Sequence, residues 1–246
     1  MINKTVATGK NNIIRFKNLS KINDLIHGFS TREFGSMKPG DPDSNISLEL
    51  FSKALKINPQ QIIKMRQIHS NNIRWVTQKD RGFRINEVDG LLTREKDVYL
   101  SVLSADCIPV LIFDKQKKYA GAVHAGWKGI YNDTLKAAIN QLISNGSNPV
   151  NVLIGIGPCI RSCCYNITIT NERANLFNKK YIYERNGSYF LDLPKIAKEQ
   201  LLSVGIPKNN IEDCNICTSD NNDRFFSFRK EGERFGEFMG IIGRKS

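Results

Sequence analysis

The chain has 246 residues, 40% of them hydrophobic, enough to bury a sizeable core in one large domain. Its 36 basic and 24 acidic residues give a net charge of +12, but Lys and Arg are scattered, with no block of five and no basic helix interleaved with aromatics, which argues against a nucleic-acid-binding module. The N-terminal residues lack the apolar segment of a secretory signal and no later apolar run approaches a membrane span, so a cytoplasmic location and no membrane partner are expected; in that reducing setting the six cysteines read as thiols, ligands or nucleophiles.

Residues 13–16 (Ile-Ile-Arg-Phe) predict a first strand and residues 25–32 a second, which runs into an irregular Gly- and Pro-containing loop, 33–45. Ser47 reads as the N-cap of a helix to Lys56 with Leu48, Phe51, Ala54 and Leu55 on one face. Residues 62–70 alternate as a strand, which would put Gln67 and His69 on the same face, and residues 73–76 read as its partner. Asp89-Gly90 is a turn signal before the apolar run 98–103. Two more buried strands follow, 110–113 and 119–123, then a helix capped near Asn132-Asp133-Thr134 with Leu135, Ala138, Ile139 and Leu142 on one face.

Residues 150–156 predict a strand ending in the turn Gly157-Pro158-Cys159, residues 171–178 a helical piece, and residues 189–191 another strand. Asp192 reads as the cap of a helix reaching Gly205. The stretch 225–230 alternates like a late strand. Mixed strands and helices without strict βαβ alternation imply an α+β fold: one domain of mixed sheets flanked by helices, with its site at strand ends.

Reactive side chains collect at those ends. Cys107 follows the run 98–103 and His124 follows 119–123, so a thiol and an imidazole come from neighbouring strands. With His69 they form a Cys-His₂ set of the kind that holds a catalytic zinc and leaves a fourth position for water or substrate. The same residues permit a different chemistry, with Cys107 as thiolate nucleophile, His124 as its base and Asp106 as orienter in a metal-independent hydrolase. Spacing leaves both open.

The chain also resembles a known family, the laccase-domain or polyphenol-oxidase-like proteins, the YfiH-type purine nucleoside phosphorylases. The resemblance rests on the segments 27–32 (HGFSTR), 66–70 (RQIHS), 88–93 (VDGLLT), 105–109 (ADCIP), 124–129 (HAGWKG), 156–160 (IGPCI) and 225–230 (FFSFRK), in the family's order. It implies a single catalytic domain over 1–246, a zinc held by His69, Cys107 and His124, phosphorolysis of adenosine, inosine, guanosine and methylthioadenosine with inorganic phosphate, and deamination of adenosine. An oxidase cluster of several coppers needs more imidazoles than the three histidines present.

Within that reading Asp106 and Lys128 are the catalytic candidates, and Arg32, Arg66, Gln67 and Trp127 the substrate-binding ones. Arg32, Arg66 and Lys128, with the turn amides near Gly157, are candidate phosphate holders, and His27 a candidate pocket residue. The chain departs from the family pattern at Lys128, Lys230 and Glu237, where Arg is usual; Lys lacks the planar fork that clamps phosphate. Cys214 and Cys217 form an isolated C-x-x-C, and the neighbours Cys163 and Cys164 cannot readily pair, so these four read as structural thiols; Cys159 is kept as a possible neighbour of the site.

Overall fold

Long central strands that are apolar on both faces set the layering, because each must be covered twice. The computed structural model describes residues 13–168 and 175–246. The strands are β1 (Leu25–Phe29), β2 (Ile62–Met65), β3 (Ile73–Val76), β4 (Arg84–Ile85), β5 (Gly90–Thr93), β6 (Tyr99–Ser104), β7 (Ile108–Asp114), β8 (Ala120–Ala125), β9 (Val152–Ile156), β10 (Asn166–Ile167), β11 (Ile182–Arg185), β12 (Ser188–Leu191), β13 (Ile211–Asp213) and β14 (Phe238–Arg244). They build a five-stranded sheet in the order β1-β14-β6-β2-β4, a six-stranded sheet β13-β9-β7-β8-β5-β3 and a small sheet β10-β12-β11. Both large sheets are mixed: β2 runs parallel to β6 while β14 opposes it, and β13 runs parallel to β9 while β7 opposes it. The α+β class is therefore as expected.

Alternation divides each strand between two cores. Val110 and Ile112 of β7 face the helices Thr134–Ser144 and Leu193–Ser203, where Leu135, Ile139 and Leu201 meet them; Leu111 and Phe113 face the five-stranded sheet, among Phe29, Val102 and Phe238. On the far side of that sheet Leu103 and Ile241 pack under Phe51 and Leu55 of the helix Ser44–Leu55. The result is helix, sheet, sheet, helix. No helix among the described residues is long and apolar enough to cross a membrane.

Several expectations change. Residues 13–16 make only a single bridge, Ile14 to Phe29, because the Phe16 amide is drawn to His27 Nε2 (3.0 Å) and its ring is buried against Phe29. The first long helix starts at Ser44, and Ser47 is buried within it, its amide bonded to the Asp43 carbonyl. The strand 62–70 stops at Met65. Its expected partner β3 lies in the other sheet, parallel to β5. Gly90 begins β5 rather than a turn.

The tail also differs. Phe225 and Phe226 are buried in a loop and Phe228–Glu231 is a short helix, capped by Ser227 Oγ. The late strand is β14, an interior strand of its sheet between β1 and β6. The run 238–244 includes two glycines, and both let neighbouring rings approach its backbone: Gly240 lies against Phe29 and Gly243 against Tyr99. Of the helical piece expected at 171–178, residues 171–174 lie outside the described residues.

Candidate active site and metal centre

One buried carboxylate organises the centre. Asp89, just before β5, accepts hydrogen bonds from three successive amides, Ile68 (3.3 Å), His69 (3.0 Å) and Ser70 (2.6 Å), and from Ser70 Oγ (2.7 Å). This convergence ends the strand at Met65 and holds His69 in a left-handed backbone, φ 61°. The same carboxylate takes His124 Nδ1 at 2.8 Å, and the Asp89 carbonyl accepts from the His124 amide at 2.7 Å. Burial pushes the Asp89 carboxyl up, but bonds from His124 and Ser70 outweigh it and hold it at about 2.

His124 lies within β8, opposite Pro109 of β7, and its ring meets His69 edge to face at 4.8 Å. With Nδ1 committed to Asp89, Nε2 is the nitrogen left for chemistry. Cys107 ends the short turn between β6 and β7, and its Sγ lies 3.7 Å from His69 Nε2. Gly126 closes the arrangement: a Cβ there would stand 2.6 Å from His69 Cδ2 and 2.9 Å from Cys107 Sγ. Burial pushes the Cys107 thiol up, yet the facing His124 and His69 imidazoles bring it down to about 6. Burial lowers His124, but Cys107 and Asp89 raise it to about 10.

These three residues fit a metal ion. One donor atom each from His69, Cys107 and His124 lies within 4.8 Å of the others. Tetrahedral zinc, with bonds of about 2.0–2.3 Å, spaces its ligand atoms about 3.3–3.8 Å apart, so small shifts suffice. Asp89 behind His124 is the carboxylate–histidine pairing that fixes a ligand's tautomer.

The centre opens into a cavity of about 380 Å³, within the ~300–1,000 Å³ range of small-molecule sites. Trp127, Ile160, Tyr165, Leu193, Phe228 and Phe235 supply apolar walls. Among the described residues Arg229 is the one Arg or Lys in the lining; its Nη1 donates to the Asn166 carbonyl at 2.8 Å and its guanidinium lies 5.1 Å from the Tyr165 ring centre. Glu237 also lines the cavity, its carboxyl pushed up chiefly by burial.

The other expected site residues divide. Trp127 and Gln67 line the cavity, although the Gln67 amide is engaged with β6, donating to the Leu103 carbonyl (3.0 Å) and accepting its amide (2.9 Å). Asp106 lines it too; its oxygens accept from Thr218 Oγ1 and the Arg229 amide, both at 2.6 Å, so it anchors the cavity wall. Arg32 bonds the Asn222 and Phe225 carbonyls and Glu231 and lies outside the lining. Arg66 and Lys128 are exposed and also outside it, with Lys128 Nζ 5.6 Å from the Trp127 ring centre.

The Gly157 amide bonds the Pro109 carbonyl. His27 is a core residue, brought down to about 3 by burial and then by Arg15, and Cys159 is fully buried away from the lining. Sequence reasoning missed Asp89, Tyr165, Arg229 and Glu237 as site residues. Asp89 and Arg229 lie inside the segments 88–93 and 225–230, where local pattern signals a turn and a strand.

The fold and this centre define a class. A family model described as "Multi-copper polyphenol oxidoreductase laccase" matches residues 27–245, and the chain belongs to that family. It is 29% identical to "Purine nucleoside phosphorylase YlmD" of Bacillus subtilis over 90% of this chain and 89% of that one. It is 30% identical to "Purine nucleoside phosphorylase LACC1" of Homo sapiens over 90% of this chain, spanning 56% of the human protein's length. Among solved structures, the YfiH protein of Bacillus licheniformis superposes with a TM-score of 0.88 at 26% identity, covering 99% of this chain and 100% of that one.

Proposed function

We propose that the chain is a zinc-dependent purine nucleoside phosphorylase, acting in the cytoplasm as a single catalytic domain on adenosine, inosine, guanosine and methylthioadenosine, with adenosine deamination as a second activity. The observation that carries the reading is the convergence of His69, Cys107 and His124 at the floor of an apolar cavity whose lining also includes the Arg229 guanidinium and the Asp106 and Glu237 carboxyls. Relatives named purine nucleoside phosphorylase support it.

Trp127, Tyr165 and Phe228 offer faces and edges for a purine and exclude water from it. Arg229, its fork oriented by Asn166 and Tyr165, is placed to hold phosphate as it attacks C1′. This replaces Arg32, Arg66 and Lys128 in that role. Glu237, more easily protonated than an exposed carboxyl, is suited to give a proton to the departing base. A zinc ion on the three ligands would supply Lewis-acid polarisation of a substrate oxygen or of water.

The low Cys107 thiol beside a raised His124 favours a second reading, a metal-independent thiolate hydrolase. Incubation with adenosine, with and without phosphate, separates them. Adenine formed only with phosphate, and inosine formed without it, both lost in Cys107→Ala and after chelation, is the expected result. Turnover that survives chelation favours the hydrolase, and no product from the wild type overturns the phosphorylase.

A further inference from the structure

A second set of soft donors lies outside the centre described above. The segment leaving β9 and the segment after β13 are joined by a parallel bridge, Cys159 to Cys217, with the Thr218 amide donating to the Cys159 carbonyl at 3.2 Å and the Cys159 amide to the Ile216 carbonyl at 3.3 Å. That bridge brings the neighbours Cys163 and Cys164 to Cys217 and Asp220. One donor atom from each of these four residues lies within 4.8 Å of the others, and the Cys164 thiol donates to Asp220 Oδ1 at 2.8 Å.

We propose that Cys163, Cys164, Cys217 and Asp220 form a second metal site, a structural Cys₃Asp zinc centre. Four donors around one point match the closed tetrahedral shell of structural zinc, whose Zn–S bonds of about 2.3 Å put sulfur atoms about 3.8 Å apart. The donor set favours this metal: thiolates select zinc over the hard cations, which take oxygen ligands. Cys217 is buried while Cys163 and Asp220 are exposed, so the ion would sit at the surface with an open route for entry. All four residues lie in loops, with Cys217 buried in the core and Cys163 and Asp220 exposed, so a crosslink here would tie the surface loops to the core.

The site has a consequence for the cavity. Thr218 next to Cys217 donates to Asp106, Asp106 accepts the Arg229 amide, and Tyr165 next to Cys164 faces Arg229. A zinc here would therefore brace the wall that carries Tyr165 and Arg229, while the reacting atoms meet the first centre.

Metal analysis of protein prepared with zinc tests this. The exposed and half-exposed pair Cys163→Ser/Cys164→Ser is expected to hold about one zinc per chain fewer than the wild type. A His69→Ala/Cys107→Ala variant loses only the other ion, so failure of the first centre and failure of this one are read separately. In that second background, Co²⁺ should give a thiolate charge-transfer band that disappears when Cys217→Ser or Cys163→Ser/Cys164→Ser is added. Equal zinc in the wild type and Cys163→Ser/Cys164→Ser, no cobalt band, or thiols blocked until a reductant opens a disulfide would each overturn the proposal.

Discussion

Asp89 reaches both histidines of the centre by different routes, gathering the backbone around His69 and bonding the ring of His124. Removing its charge while keeping its shape should loosen both. Asp89→Asn is expected to weaken zinc retention about 10–100-fold, the range for partners that orient metal ligands, as measured by chelator competition. Unchanged affinity would show that the carboxylate serves the fold alone.

The thiol and imidazole carry a pH signature in metal-free protein. Cys107 falls from 9.0 to about 6, so its contribution to stability is full above pH 9.0 and is lost as pH falls through about 6. His124 rises from 6.5 to about 10, so its contribution is full below pH 6.5 and is lost as pH rises through about 10. Between 6.5 and 9.0 the two slopes oppose each other. Urea unfolding should therefore show the stability difference between the wild type and Cys107→Ser/His124→Gln flat across that window and smaller on both sides. A steady slope through it would contradict the pairing.

At the scale of elements, the junction of β8 with the helix Trp127–Tyr131 is shaped by Gly126. A methyl group there meets His69 and Cys107 side chains rather than the core. Gly126→Ala should therefore cost metal binding and activity while the melting temperature of the metal-free protein changes little. Phe29 plays the corresponding part between the sheets. Its fully buried ring lies against Gly157, after β9, and Gly240 in β14, so it fills space between the two large sheets. Phe29→Ala is expected to cost about 3–5 kcal/mol by denaturant unfolding, the range for emptying a buried aromatic site.

For the whole molecule, the three candidate metal ligands come from two connections and a strand: the loop after β2, the turn between β6 and β7, and β8 itself. Because β2 and β6 belong to one large sheet and β7 and β8 to the other, a metal bound there ties the layers together. Free zinc at about 100 times its Kd should stabilise the folded chain by about 2.7 kcal/mol if it binds only that state. Calorimetry with and without chelator measures this, and an unchanged melting temperature would count against a resident ion.

What the sequence determined by itself is local. Helix faces such as Leu135, Ala138, Ile139 and Leu142, the Asp192 cap, the apolar runs that became β6 to β9, and the three candidate metal donors near strand ends were legible, because periodicity, capping and donor chemistry act over a few residues. Only the tertiary structure decided which strands share a sheet, why the strand before His69 stops at Met65, and that Asp89 is the carboxylate behind the centre. It also gathered Arg229 and Glu237 into the cavity and brought Cys163 and Cys164 to Cys217. The physical reason is common to all of these: strand pairing, buried hydrogen bonds and ligand convergence join residues far apart in the chain, so their partners are set by packing rather than by neighbours in sequence.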